Sequence, residues 1–232
     1  MNADDNDNRS ALPNEPAQSL PWAKLIPALV VLLVIVAGAS ALLFKGASKP
    51  TLPGGAQQAA AGKGFDGTLA LPAKAAPQIA LRNYLGQRVT LSEYRGKAVL
   101  VTFLYTHCPD VCPIITSQLH RTLGLLGSES SKVQIIAVSV DPRGDTPASV
   151  ASFLSTHGMV GHMQYLLGSP AQLASTWAAW GVGSKREAGQ PDLVAHSALI
   201  YGISASGKLT TIYSASFQPS EIVHDVPKLA SL

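Results

Sequence analysis

Two cysteines stand four positions apart in the sequence YTHCPDVCP, and they are the only cysteines among the 232 residues. Cys108 and Cys112 are each followed by a proline. Because proline favours the first position of a helix, Pro113 predicts a helix from Ile114 to Leu126, with both cysteines in the turn before it. Thiols beside a helix N-terminus meet unpaired N–H groups and the positive end of the helix dipole, which lower their pKa. We therefore predict a reactive or metal-binding pair, able to form one disulfide or to supply two sulfurs to one metal.

The segments around this pair alternate between strands and helices. The predicted strands are Lys97–Tyr105, Val133–Val140, Ala198–Ile203 and Leu209–Tyr213, and the later helices are Pro147–His157, Pro170–Trp180 and one from Pro219. This order, a βαβ arrangement followed by a hairpin and a helix, is typical of an α/β thioredoxin-like domain. In α/β sheets reactive groups lie at the carboxyl ends of strands. The first of these strands leads directly to Cys108.

An uncharged apolar run bounded by lysines, from Leu25 to Phe44, precedes this domain. At about 1.5 Å per residue its length matches the roughly 30 Å hydrocarbon core of a bilayer. A cleaved signal peptide is the alternative, but such a peptide begins with positive charge, whereas the segment before this run is acidic. We therefore expect a short N-terminal tail, residues 1–24, and a retained single-span transmembrane helix, residues 25–44.

The chain between this run and the domain has the composition of a linker. Residues 45–74 are rich in alanine, glycine and proline and show little periodicity, which predicts a flexible linker. The remaining residues, 75–232, have the length of one ordinary domain. The net charge of +3 is small and no basic cluster is interleaved with aromatic residues, so nucleic-acid binding is not predicted.

Three motifs occur in order along the domain. They are THCPDVCP at residues 106–113, VSVDPRGDTP at residues 138–147, and a His-Ser pair at residues 196–197 before a strand. Together they resemble the Sco/SenC family of copper chaperones. The resemblance implies a thioredoxin-like fold that binds one copper through two cysteines and a distant histidine, for assembly of cytochrome c oxidase. In this sequence the implied copper ligands are Cys108, Cys112 and His196.

Two positions depart from the family pattern. Family members usually have aspartate directly before the ligand histidine and an Asp-Pro pair in the turn after the next strand, where this sequence has Ala195 and Ser204-Ala205. A neighbouring carboxylate normally tunes the orientation and basicity of a ligating imidazole. The departures leave the implied ligands in place and bear on copper affinity and on the partner. The expected partners are the membrane, the copper-carrying subunit of cytochrome c oxidase, and other copper-delivery or thiol-redox proteins.

The donor types are also consistent with copper on chemical grounds. Two thiolates suit Cu(I), and an added imidazole accommodates Cu(II) as well, whereas structural zinc prefers four protein ligands. Three ligands leave a position open for a ligand of the partner during transfer. The two thiols can also form a disulfide, which makes copper loading depend on thiol redox state and fits an oxidising compartment. We therefore expect a bacterial inner-membrane protein with its C-terminal domain in the periplasm.

A thiol–disulfide reductase that keeps the target's copper-ligand cysteines reduced is the main alternative function. Oxidoreductases of this fold normally carry Cys-x-x-Cys, whereas three residues separate Cys108 and Cys112. A peroxidase of the peroxiredoxin kind is disfavoured, because its Pro-x-x-x-Thr/Ser-x-x-Cys pattern meets Val101 and Tyr105 at the proline and Thr/Ser positions. We therefore predict a metallochaperone rather than an enzyme.

Other residues with polar, sulfur-containing or aromatic side chains receive structural interpretations. Methionine is a common core residue, carboxylates near strand ends and helix starts stabilise turns and free N–H groups, and tryptophans three positions apart on a helix usually pack. The alternatives are direct copper binding for the residues beside the cysteines, copper loading for a histidine–methionine cluster, and partner docking for the aspartates of the strand-to-helix turn. The residues are His107 and Asp110 beside the cysteines, Asp141 and Asp145, the cluster of His157, Met159, His162 and Met163, and Trp177 and Trp180.

Overall fold

The structure is a computed structural model, and it describes residues 64–187 and 190–232. In that part of the chain no helix is long and apolar enough to span a membrane. The predicted tail, the predicted transmembrane helix (residues 25–44) and most of the predicted linker lie outside the described residues, so they stay predictions.

Within residues 64–187 and 190–232, ten strands form two sheets. The strands are β1 Leu69–Ala75, β2 Ala80–Asn83, β3 Arg88–Thr90, β4 Ala98–Leu104, β5 Val133–Ser139, β6 Met163–Leu167, β7 Ser184–Glu187, β8 Gln190–His196, β9 Leu199–Ile203 and β10 Lys208–Ser214. Eight of them form a central sheet in the order β1-β10-β9-β4-β5-β6-β2-β3, and β7 pairs with β8 in a second sheet. Strand β5 runs parallel to both β4 and β6, whereas the other neighbours pair antiparallel. This arrangement confirms the predicted α/β class.

Strand β4 lies in the middle of the central sheet and leads to the first cysteine. All seven of its residues are buried, as expected for a strand enclosed on both faces. Leu104 at its end pairs with Ser139 at the end of β5, so both strands stop at the same edge of the sheet. The loops that follow them, which hold Cys108 and Asp145, therefore begin side by side.

The described part of the chain also contains four α-helices: α1 Val111–Leu126, α2 Pro147–Thr156, α3 Pro170–Trp180 and α4 Pro219–Ser231. Helices α2 and α3 begin where their sequence signals predict. The side chain of Thr146 accepts a hydrogen bond from the N–H of Ser149, and that of Ser169 accepts one from the N–H of Gln172. Each cap is followed by a proline in the first helical turn, where a missing N–H costs no intrahelical bond.

Two boundaries differ from their predictions. Helix α1 begins at Val111 rather than at Pro113, because none of the first four N–H groups of a helix has an intrahelical partner and proline is tolerated there. Cys112 therefore lies inside the first turn of α1 and not in the turn before it. Residues 69–74, which the composition assigns to the linker, belong to β1, because this segment pairs with β10.

The buried carboxylate of Asp225 on α4 fastens the segment that precedes β1. It accepts a hydrogen bond from the N–H of Asp66 at 3.0 Å and one from the hydroxyl of Tyr213 at 2.8 Å. The side chains of Asp66, His224 and Asp225 are close enough to group around a metal ion. However, the ammonium nitrogen of Lys228 lies 2.8 Å from Nε2 of His224, and a cation there opposes metal binding. We therefore interpret this cluster as a structural clasp.

Candidate metal centre

Cys108 lies in the loop between β4 and α1, and its sulfur occupies the place of a helix cap. The N–H of Cys112 donates to Sγ of Cys108, with nitrogen and sulfur 3.4 Å apart. Asp110, the residue at the N-cap position, makes no capping hydrogen bond through its side chain. The carboxylate was expected to stabilise the free N–H groups at this helix start, and the cysteine sulfur takes that role instead.

The pKa values of the two thiols are shifted in opposite directions from the ordinary value of cysteine. A hydrogen bond from the Cys112 thiol, aided by the N–H groups of Cys112 and Asp110, lowers the pKa of Cys108 to about 5 against the opposing effect of burial. The same hydrogen bond, together with burial, raises the pKa of Cys112. Both cysteines are in the free form. At neutral pH the pair is therefore a Cys108 thiolate that accepts a hydrogen bond from a Cys112 thiol.

His196 reaches the two cysteines from the second sheet. It is the last residue of β8, and its Nε2 lies 3.8 Å from Sγ of Cys112. Its Nδ1 lies 3.3 Å from the carbonyl oxygen of Ser197, which can only accept, so Nδ1 carries the proton. Burial lowers the pKa of the imidazole, which keeps the ring neutral at neutral pH. The lone pair of Nε2 is thus directed to the sulfur and is available to a metal.

The distance between Cys112 Sγ and His196 Nε2 and the types of the three donors are those expected for one soft metal ion. Bonds of about 2.3 Å to sulfur and 2.0–2.1 Å to imidazole nitrogen, the values known for zinc, separate the two ligand atoms of one metal by about 3.6–3.8 Å. The observed 3.8 Å between Cys112 Sγ and His196 Nε2 lies at the upper end of this range. Both thiols are free, and a set of two sulfurs and one nitrogen suits copper. The structure thus places His196 next to Cys112, whose backbone N–H donates to the sulfur of Cys108, so the three predicted ligands are neighbours and their role as ligands stays a prediction.

Tyr105 belongs to this site although the sequence did not single it out as functional. Its ring meets the His196 ring edge-on, with centroids 5.8 Å apart and an interplanar angle of 81°. Burial is the largest of the effects that raise the pKa of Tyr105 to about 12, so the hydroxyl stays protonated. An open pocket of about 270 Å³ is lined by Tyr105, Cys108, Val194 and His196 among others.

The carboxylate of Asp145 anchors the loop segment that precedes Cys108. Its Oδ1 accepts hydrogen bonds from both the N–H and the hydroxyl of Thr106, each at 2.8 Å. Its Oδ2 accepts from the hydroxyl of Ser139 at 2.6 Å and from the hydroxyl of Tyr165 at 2.9 Å. Asp145 is buried, so these four hydrogen bonds replace its hydration. The predicted turn-shaping role is confirmed, and the turn is joined directly to the cysteine loop.

The candidate methionines and tryptophans have packing roles. Met159 and Met163 are buried in the core, which agrees with a packing role rather than with copper loading. Trp180 is buried against Phe103, with ring centroids 6.0 Å apart, and the Nε1–H of Trp177 donates to a backbone carbonyl of β5 at 2.9 Å. Both tryptophans therefore have the predicted packing role.

Comparison with known proteins relates the whole domain to one family. A model of the family SCO1/SenC matches residues 70–231 of the chain. Protein SCO2 homolog, mitochondrial, of Bos taurus is 28% identical over 153 residues, which cover 63% of this chain and 56% of the bovine protein. The chain thus spans little more than half the length of that relative.

Solved structures have the same fold. The structure of Bradyrhizobium japonicum ScoI with copper bound is 32% identical, has a TM-score of 0.61 and is matched over 67% of this chain and 99% of that chain. A structure of BsSco, described as a member of the Sco family of cytochrome c oxidase assembly proteins, is 22% identical, with a TM-score of 0.59 over 70% of this chain and 98% of that chain. At the lower identity the likeness concerns the fold alone. These structures confirm the predicted thioredoxin-like fold, and since the family match covers most of its length, the chain belongs to the SCO1/SenC family.

Proposed function

We propose that this protein is a membrane-anchored copper chaperone that binds one copper ion through Cys108, Cys112 and His196. The observation that carries the proposal is the 3.8 Å separation of Cys112 Sγ and His196 Nε2 beside the sulfur of Cys108. Two thiolates and a neutral imidazole are a donor set for Cu(I) and Cu(II). Copper bound in the Bradyrhizobium ScoI structure supports the choice of metal.

The protonation states suggest an order of binding. The Cys108 sulfur is already a thiolate at neutral pH, so it receives the metal first. Cys112 keeps its proton in the metal-free protein and must release it before its sulfur can bind. His196 is neutral and binds without losing a proton. Loading therefore releases about one proton per copper at neutral pH.

The oxidase-assembly role belongs to this proposal as well. BsSco is a member of the Sco family of cytochrome c oxidase assembly proteins, and we propose that a copper-carrying oxidase subunit receives the metal from this chain. Three ligands leave a coordination position for an incoming ligand of that subunit. The proposed location is the bacterial inner membrane, with residues 75–232 on the periplasmic side.

Anaerobic copper titration of the purified full chain tests the copper proposal. We expect one copper per chain in the wild type and a spectrum with sulfur and nitrogen donors, because both thiolates and the imidazole bind. Cys108→Ala and Cys112→Ala should each abolish tight binding, since one thiolate and an imidazole hold copper weakly. Tight binding that persists in either cysteine variant would disprove the three-ligand site.

A thiol–disulfide reductase is the second candidate function. A thiolate with a pKa of about 5 next to a second, protonated cysteine suits a nucleophile and its resolving partner. The two functions differ in their need for His196, since disulfide exchange requires only the two sulfurs. If His196→Ala supports oxidase assembly in cells and either cysteine variant does not, the reductase function is favoured over copper transfer.

A further inference from the structure

We infer that Thr106 is a positioning residue of the copper site, whose hydroxyl holds the loop of Cys108 in place before any metal binds. This loop, residues 105–110, connects β4 to α1. The inference rests on the proposed copper function and adds to it a residue that does not itself bind the metal.

Thr106 is bound twice to one buried carboxylate. Its N–H and its hydroxyl both donate to Oδ1 of Asp145, each across 2.8 Å. The other carboxylate oxygen, Oδ2, accepts from the hydroxyl of Ser139 at 2.6 Å and from that of Tyr165 at 2.9 Å. Ser139 is the last residue of β5 and Tyr165 lies in β6. Two strands of the central sheet therefore fix the carboxylate, and the carboxylate fixes Thr106.

The same hydroxyl also contacts the direct neighbour of Cys108. Oγ1 of Thr106 lies 3.1 Å from Nδ1 of His107. Because the hydroxyl hydrogen is donated to Asp145, the oxygen accepts in this contact, so Nδ1 of His107 carries the proton. One hydroxyl thus joins the buried carboxylate to the residue before the first cysteine. A valine at this position can make neither bond, whereas a serine can make both.

The contacts of the loop matter for copper because the two cysteines are supported differently. Cys112 lies in the first turn of α1, whereas Cys108 lies in the loop and depends on the contacts of that loop for its position. A loop that is fixed beforehand loses little conformational freedom when the metal binds. A loop released from Asp145 has to be ordered during binding, and the entropy lost in that ordering lowers the affinity. The Thr106 hydroxyl therefore raises copper affinity without touching the ion.

Two substitutions separate the hydroxyl from the rest of the side chain. Thr106→Val removes the hydroxyl and keeps the branched shape, whereas Thr106→Ser keeps the hydroxyl and removes only the methyl group. Thr122→Val is the matched control. Thr122 is a buried threonine further along α1, and its hydroxyl donates to the carbonyl oxygen of Gln118 at 2.8 Å, away from the cysteines.

The experiment measures Cu(I) affinity by competition with a chelator, and the sulfur-to-copper charge-transfer band of the Cu(II) form, in full-length variants. Thr106→Val should lower the affinity about tenfold, the lower end of the effect of losing a supporting hydrogen bond around a metal site. It should also broaden the band, because the Cys108 sulfur then occupies several positions. Thr106→Ser should restore both properties, and Thr122→Val should leave both unchanged although it loses a hydroxyl of the same kind.

The outcomes separate this inference from the proposed function. If the wild type binds copper and Thr106→Val has the wild-type affinity and band, the inference is wrong and the copper site stands. The inference is also wrong if Thr106→Ser binds as weakly as Thr106→Val, or if Thr122→Val loses as much affinity. If the wild type binds no copper, the proposed function itself fails. Should Thr106→Val fold poorly, Thr106→Ala takes its place, because it differs from Thr106→Ser in the hydroxyl alone, and equal affinities of that pair again overturn the inference.

Discussion

The backbone N–H of Cys112 donates to the sulfur of Cys108 across 3.4 Å, so the first turn of α1 binds a cysteine sulfur as its cap. The position before the helix places Cys108 in the positive field of the helix N-terminus. Because Cys108 follows the end of β4, its sulfur also lies at the carboxyl edge of the parallel strands. The proline after each cysteine is compatible with this geometry, because neither proline has to donate a hydrogen bond there.

We predict that Cys108 reacts with iodoacetamide at a rate that changes little between pH 6 and 8, because its pKa lies at about 5. Below pH 5 the rate should fall about tenfold per pH unit as the thiolate is protonated. Cys112→Ala should raise the pKa of Cys108, since the thiol hydrogen bond is the largest cause of the lowered value. Mass spectrometry of the alkylated peptide gives the profile, and a midpoint near pH 8 to 9 would contradict the prediction.

His196→Ala is expected to affect the two copper oxidation states unequally. Two thiolates still hold Cu(I) in a near-linear arrangement, whereas Cu(II) requires more ligands and prefers nitrogen donors. Cu(II) affinity should therefore fall more steeply than Cu(I) affinity, and the disulfide should still form. Competition titrations with each ion measure the difference. His162→Ala, a change at an exposed histidine, is the control, and an unchanged Cu(II) spectrum in His196→Ala would disprove the role of His196.

Asp145→Ala should destabilise the domain. The substitution leaves the buried hydroxyls of Ser139 and Tyr165 and the N–H of Thr106 without their acceptor. A lost acceptor for buried donors costs about 1–3 kcal/mol or more in free energy of unfolding. Denaturant unfolding measures the change. Asp110→Ala removes an exposed carboxylate that makes no capping bond, so it should stay within about 0.5 kcal/mol of the wild type. Equal effects of the two substitutions would contradict the role of Asp145.

The membrane topology gives a prediction for the region outside the described residues. A reporter enzyme that works only outside the cytoplasm should be active when it is fused after Leu232. In a separate test, the full chain should remain in the membrane fraction after carbonate washing. The physical reason is the apolar run from Leu25 to Phe44, which is long enough to span a bilayer. A chain released by carbonate would show that this run is removed or does not span, and an active cytoplasmic reporter would reverse the orientation.

Local signals in the sequence were sufficient for the elements that have strong start signals. Thr146 and Ser169, each followed by proline, mark the two helices that begin where predicted. The apolar run that forms β4 and the run that forms β5 were recognisable because both strands are buried. The ligand set was predicted from a resemblance, since nothing local relates His196 to Cys112, 84 residues away.

Three of the missed strands are stabilised by pairing rather than marked by their composition. Strands β2 and β3 have four and three residues, too few to show a clear alternation of apolar and polar side chains. Strand β7, SKRE, is polar throughout and resembles a loop. Tyr105 was missed as a site residue because an aromatic residue at a strand end usually packs, and its contact with His196 depends on where the hairpin folds back.

The hairpin of β7 and β8 carries His196, whereas the two cysteines lie in the loop after β4 and in α1. Among the described strands these two pair only with each other, so the imidazole of His196 and the sulfurs belong to different hydrogen-bonded units. Native proteins open in such units at free energies below that of global unfolding. For the proposed copper site, opening of the hairpin alone would withdraw the imidazole and leave both sulfurs on an intact helix and sheet. We therefore expect release of copper to follow the rate of amide exchange in β8 and not the stability of the domain as a whole.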